Sequence, residues 1–253
     1  MRWPRHADEL DILQERLARS AVSVAGWSPP AGAHLAISGL FVTSSTSGTP
    51  RCWAAACVMR DGRGLGSVVV PGAPRAPYVP GRLALREGPV LEEAIRALDV
   101  PFDVLLVNTT GRDHPRGAGL AVHLGAVLDV PSVGVTDRPL VAEPDGEPGA
   151  ERGSWAPLVL KSAVVGSLVR TRPGARPVVV HAGWRTDAEA ARSVVDEAAG
   201  RARTPEPIRW ARRVARVARA MAEGRLGMPG SRSTVSRSGG GPRPSAPGRA
   251  RRT

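Results

Sequence analysis

The run 103-DVLLVNTTGRDHPRGAG-119 decides how this chain is read. Val104 to Val107 is a short apolar run that reads as a buried strand, and it passes at once into a polar, glycine-punctuated loop. An α/β protein keeps its chemistry at that kind of junction. The strand delivers Asn108, Thr109 and Thr110, with His114, Pro115 and Arg116 close behind. An amide therefore stands where a catalytic carboxylate would be expected.

Outward from this run, the pattern gives a mixed α/β chain. Residues 5–22 form an amphipathic helix with Leu10, Leu13, Leu17 and Val22 roughly at helical spacing. Three strand-like runs follow, HLAISGLFV (34–42), CWAAACVMR (52–60) and GLGSVVVPG (64–72), separated by turn-rich linkers that suggest an antiparallel meander. A proline-rich loop then leads to a helix at 87–98, the strand at 103–108, a helix at 119–128 and a short strand PSVGV (131–135). The segment AEPDGEPGAERGSW (142–155) reads as a loop before strands at 156–162, 164–170 and 177–183 and helices at 187–199 and 208–223. Antiparallel strands followed by alternating strand and helix predict a mixed sheet flanked by helices.

The 253 residues and 42% hydrophobic content suit one sizeable α/β domain, taken as residues 1–223. The formal net charge of +12 fits a polyanionic partner. Part of that charge is a composition bias, since Lys161 is the sole lysine, and part sits after Glu223, beyond which no acid occurs. Residues 224–253 are rich in Ser, Gly, Pro and Arg and poor in apolar groups, so they read as a disordered basic tail. Cys52 and Cys57 lie on opposite faces of one strand and match no zinc or redox spacing. With no signal-length or membrane-length apolar run, a monomeric, cytoplasmic protein without membrane contact is expected.

Three separated segments carry a resemblance: PYVPGRLALRE (77–87), TGRDHPRGAGLAVHLG (110–125) and TPEPIRWA (204–211). In order and spacing they resemble the endonuclease V family. The resemblance implies a ribonuclease H-like mixed sheet, one or two Mg²⁺ or Mn²⁺ ions, and hydrolysis of a phosphodiester near inosine in DNA or RNA. Paired divalent ions repel each other, so such a site needs several ionised carboxylates.

Residue by residue, the same resemblance implies a substituted site. Phe41, in Gly39-Leu40-Phe41, stands where the family pattern has a metal-binding Asp, and Asn108 stands at a second ligand Asp. Asp137 takes the place of a lysine near the active site, and Trp184 takes the place of a histidine after glycine. Glu87 and His114 remain, as a possible metal ligand and as a histidine near the scissile phosphate. The binding side is better kept: Tyr78 sits in the family's wedge loop between Pro77 and Pro80, Gly81 and Gly111 allow close approach, and Arg86, Arg112 and Arg116 are candidate phosphate contacts.

Each of these has an ordinary reading beside the functional one. Glu87 is also a helix-start carboxylate, His114 a loop histidine, Asn108 a loop cap, and the arginines of RWARRVARVARAMAEG a solvated helix face. Relocated acids, Asp113, Asp137, Asp187 or Glu189, could instead rebuild one metal position. The expectation is a nucleic-acid-binding relative with lost or reduced catalysis, against an active nuclease with a rearranged site or a protein-interaction scaffold.

Overall fold

The structure is a computed structural model that describes residues 2–24 and 26–225. The basic tail from residue 226 lies outside the described residues. The chain runs α1 (Ala7–Ser23), β1 (Ile37–Ser44), β2 (Cys52–Arg60), β3 (Arg63–Gly72), α2 (Leu83–Arg96), β4 (Val104–Val107), α3 (Leu120–Leu128) and β5 (Ser132–Thr136). It continues with β6 (Glu143–Pro144), β7 (Trp155–Leu160), β8 (Ala163–Val169), β9 (Val178–Ala182), α4 (Ala188–Ala198) and α5 (Glu206–Ala222).

The strands form one nine-stranded sheet in the order β3-β2-β1-β4-β5-β9-β8-β7-β6. β1, β4 and β5 are parallel neighbours at its centre, and every other pair is antiparallel. The meander β1-β2-β3 and the mixed sheet are as the sequence pattern predicts. Two elements depart from it. α2 begins at Leu83 rather than Glu87, so Pro89 lies inside the helix; the bond that proline cannot donate is outweighed by burial of Leu91, Ala94 and Ile95. β6 has two exposed residues, one of them proline, at the edge of the sheet, too short to leave an alternation.

Two cores sandwich the sheet. On one face, Leu10 of α1, Leu91 and Ile95 of α2 and Leu120 and Leu124 of α3 pack on Leu40, Leu105 and Val107. On the other, Val194 and Val195 of α4 and Ile208 of α5 cover Ile37, Val104 and Leu106, and Ala211 and Ala215 cover Ala55 and Cys57. Cys52 belongs to the first face and Cys57 to the second, both buried and free. Among the described residues no helix is long and apolar enough to cross a membrane.

α5 approaches β1 closely because Gly39 has no side chain: a Cβ there would lie 2.3 Å from the Pro207 carbonyl carbon. Rigid backbone on both sides leaves no room to yield. Gly39→Ala is expected to destabilise the protein by about 1–3 kcal/mol, the range for overpacking a filled core. Urea denaturation of the variant beside the parent checks this, and an unchanged midpoint would contradict the contact.

Candidate functional site

The parallel register Leu40↔Val107 makes β1 and β4 deliver Phe41 and Asn108 side by side at the same end of the sheet. Thr136 ends β5, the next parallel strand, nearby. Two adjoining hollows of about 180 and 230 Å³ open there, sharing Tyr78, Leu83, Asn108, Thr109 and Leu120. The first reaches His114 and Thr136; the second reaches Phe41 and Glu87. Residues far apart in sequence thus line one cleft, with Tyr78, 67% exposed, standing over both halves.

His114 is buried and both its ring nitrogens are engaged. Nδ1 accepts from the Arg116 backbone N–H at 3.2 Å, which puts the proton on Nε2, and Nε2 donates to the Gly81 carbonyl at 2.9 Å. Burial pushes its pKa down to about 4, against the raising effect of that carbonyl, so the ring is neutral at physiological pH. Arg116 Nη2 and Gln14 Nε2 reach the same carbonyl at 3.2 and 3.3 Å, and Arg116 also pairs with Asp11 at 3.0 Å. Gly81 itself has φ +75°, a left-handed turn that suits glycine. These groups fasten the loop carrying Tyr78 to α1 and to the loop after β4. Gln14 and Asp11 were not singled out from the sequence, because they look like ordinary polar positions of an amphipathic helix.

The acids do not converge. Glu87 is the carboxylate lining the cleft, 3.8 Å from Arg86 Nε, and burial pushes it up to about 7 against the lowering pull of Arg86. Asp113 is fully buried and accepts from the backbone N–H groups of Leu140, Val141 and Ala142 at 2.7–2.8 Å. Asp137 is hydrogen-bonded to Arg203, which holds its carboxyl below the usual range. Asp187 caps α4 by accepting from Ala190 N–H at 2.8 Å, and Glu189 sits in the first turn of that helix. Among the described residues no group of three or more His, Cys, Asp or Glu side chains is placed to hold a metal ion. The donor set at the cleft, one carboxyl with a phenyl ring and an amide beside it, does not fit a Mg²⁺ or Mn²⁺ ion.

An arginine occupies that neighbourhood instead. Arg212 of α5 lies with its guanidinium carbon 5.1 Å from the centroid of the Phe41 ring, and its Nη2 donates to Asn108 Oδ1 at 3.2 Å. Arg216, one turn on, lies 5.9 Å from the same ring. Arg219 donates to Thr43 Oγ1 at 2.9 Å and to the Ser44 carbonyl at 3.2 Å. The helix thus lays a row of guanidinium groups along the end of β1.

Other predicted positions serve the scaffold. Arg86 donates to the Ala76 carbonyl and Ser44 Oγ, and Arg112 to the carbonyls of Ala21 and Gly183. Gly111 packs against the Ala182 carbonyl, 2.1 Å from where a Cβ would be. Trp184 is not brought to the cleft. β9 runs antiparallel to β5, so the turn after it lies beside Ser132 at the start of β5, away from Thr136 at its end. There Trp184 packs with Leu17, Ala21 and Val122 and donates to Asp129.

A mixed sheet with three central parallel strands, an antiparallel meander on one edge and helices on both faces is the ribonuclease H-like arrangement. The sequence profile described as Endonuclease V matches residues 30–213. An endonuclease V from Methanopyrus kandleri is 47% identical over 156 residues, 62% of this chain and 67% of that protein. The match spans 58% and 60% of the length of two further curated relatives. The endonuclease V of Streptomyces avermitilis superposes with a TM-score of 0.79 at 33% identity, over 87% of this chain and 96% of that one. A Ciona intestinalis endonuclease V, solved in complex with inosine-containing DNA, shares the fold at a TM-score of 0.71 and 19% identity, over 85% and 98% of the two chains. This chain belongs to the endonuclease V family.

Glu87 gives the site a pH signature. In the unfolded chain its carboxyl ionises near 4.5, in the folded protein near 7, so folding takes up a proton between these values. Its contribution is fully present below the unfolded value and is lost as pH rises through the folded one. Glu87→Gln, isosteric with the protonated form, is expected to equal the parent at acid pH and to exceed it by about 1–3 kcal/mol at alkaline pH. Thermal melts across that range, with and without Mg²⁺, check this; a variant weaker than the parent at alkaline pH, or Mg²⁺ stabilising the parent alone, would show a metal-binding Glu87.

Proposed function

We propose that this chain binds nucleic acid through the cleft beneath Tyr78, with preference for an inosine or similarly unstacked base, and that its phosphodiester hydrolysis is lost or strongly reduced. The observation that carries the reading is the donor set at the end of β1 and β4: Phe41 and Asn108 flank the cleft, and Asn108 Oδ1 accepts from Arg212. Phenyl carbon cannot ligate a cation, and an amide oxygen brings no charge. Without clustered anionic ligands a divalent ion has little to hold it, and the water that such an ion would activate keeps its ordinary acidity.

The binding half of the reading rests on different groups. Tyr78 and Val79 are 67% and 41% exposed on a loop whose base is held by the Gly81 carbonyl network. An exposed aromatic group on a fixed loop beside a hollow suits stacking on, or wedging beside, a displaced base. Membership of a family with a DNA-bound relative supports nucleic acid as the partner. His114, neutral and used at both nitrogens, acts here by holding the loop rather than by exchanging a proton.

The test is a cleavage assay on inosine-containing single- and double-stranded DNA and RNA with Mg²⁺ and with Mn²⁺, run beside a binding assay. Cleavage is expected to be absent or reduced by more than about 100-fold against an active family member, beyond the loss that even outer-shell changes at metal sites cause. Binding should persist, and Tyr78→Ala should reduce the preference for inosine more than total affinity. Chelator-sensitive cutting abolished by Glu87→Ala would overturn the loss of catalysis and favour an active nuclease; no binding even at low salt would leave a protein scaffold.

A further inference from the structure

We propose that the guanidinium of Arg212 is the cation of a phosphodiester-binding site that operates without a metal ion, at the mouth of the cleft between Phe41 and Asn108. The inference deepens the nucleic-acid reading above and rests on it. The mismatch between the donor set and a divalent ion leads to it: where anionic side chains would hold a cation, the chain supplies a cation of its own.

The geometry is that of a prepared anion site. The Phe41 ring lies under the Arg212 guanidinium at 5.1 Å, and the Asn108 amide oxygen accepts from one nitrogen at 3.2 Å, so the plane of the group is fixed from two sides. Among the described residues that is its sole hydrogen bond, and its Nε is buried without a partner. Neighbouring arginines of the same region are neutralised, Arg203 by Asp137 and Arg209 by Glu206. Arg212 and Arg216 have no such carboxylate within 4.0 Å among the described residues, although the Asp137 carboxylate, paired with Arg203, also acts on Arg212 through space. Burial lowers the pKa of Arg212, yet a guanidinium keeps its proton in proteins.

Two guanidinium groups against one ring, neither in an ion pair among the described residues, favour an oxyanion. A phosphodiester offers two non-bridging oxygens that a planar guanidinium can meet in parallel, which an ammonium cannot do. The adjoining hollow under Tyr78 favours a phosphodiester that carries a base over free phosphate. A divalent ion would be repelled from the same place, so metal is not expected to be needed for affinity.

The experiment measures fluorescence anisotropy of the full chain with labelled single-stranded DNA and RNA, with and without one inosine, in EDTA and in Mg²⁺, over a salt series. Affinity is expected to be no weaker in EDTA than in Mg²⁺, which only competes for the phosphates of the oligonucleotide. Arg212→Gln should weaken binding about tenfold or more, as for a lost charge-assisted contact, and reduce the salt slope by about 1. Arg212→Lys should keep the slope and recover part of the affinity. Arg216→Gln, at an exposed position, is expected to weaken binding several-fold and carries the test should Arg212→Gln not fold, which thermal melts establish. Arg213→Gln controls for net charge and should have the smaller effect. If the parent binds but neither Arg212→Gln nor Arg216→Gln changes affinity, or if binding vanishes in EDTA, the inference falls while the nucleic-acid reading stands. If the parent binds no oligonucleotide at low salt, both fall, including where inorganic phosphate alone raises the melting temperature.

Discussion

The contact between the Pro207 backbone and Gly39 governs the cleft. Because β1 has no side chain there, the first turn of α5 lies against the strand, and the helix then runs past Phe41 toward Thr43 and Ser44. A bulkier residue at position 39 would lift the helix and carry Arg212, Arg216 and Arg219 away from the end of β1. One close backbone approach therefore sets the electrostatics of the site. The parallel pairing of β1 with β4 sets the other coordinate, since its register makes Phe41 and Asn108 neighbours. Arg212 meets both residues, so it reads the helix placement and the strand register at once.

The opposite wall of the cleft is built on hydrogen bonds rather than on packing. The Gly81 carbonyl collects donors from His114, Arg116 and Gln14, and Asp11 balances the charge of Arg116. Keeping His114 neutral is part of the design, because its Nδ1 must accept from the Arg116 N–H. A protonated ring would turn that acceptor into a second donor. The rigid base explains how Tyr78 and Val79 can be exposed on a short loop and still hold a defined position over the hollow. The scaffold and the proposed recognition element are the same few residues, so His114 acts on the position of Tyr78 through the Gly81 carbonyl.

Much of this was legible in the sequence. The runs CWAAACVMR and DVLLVN carry enough β-branched and apolar residues between turn signals to mark β2 and β4, and the opposite faces of Cys52 and Cys57 follow from the period of a strand. The family segments are contiguous and so survive in one dimension. The start of α2 was set too late, at Glu87: a helix begun there keeps Pro89 in its first turn, where proline is tolerated, and no local rule weighs the burial of Leu91 and Ile95 that holds the longer helix together. Trp184 was placed in the site by the family resemblance, whereas its location depends on β9 running antiparallel to β5, a pairing that no local pattern records. Arg212 was read with the other arginines of its helix as part of a solvated face, whereas it engages Phe41 and Asn108. On a helical wheel it borders the polar stripe of α5, and a border residue is solvated or engaged according to what the neighbouring strand presents.

What the chain presents there bears on how binding and hydrolysis separate. A divalent ion at a phosphodiester does two things: it neutralises the charge of the group, and it lowers the pKa of a bound water so that a nucleophile forms at neutral pH. A guanidinium can do the first, with the added advantage of a planar fork that orients the two free oxygens. It cannot do the second, because it has no ligand position for water and no proton to give up. Glu87, raised by burial to about 7, is a possible acceptor of a proton but stands without a cation to make water a better donor. Phe41, Asn108 and Arg212 form one physical unit: the ring and the amide, neither of them an anionic ligand, are the two groups that hold the arginine. With a fixed positive charge at the end of β1, an acid introduced at either position alone would pair with Arg212 before it could help to bind an ion.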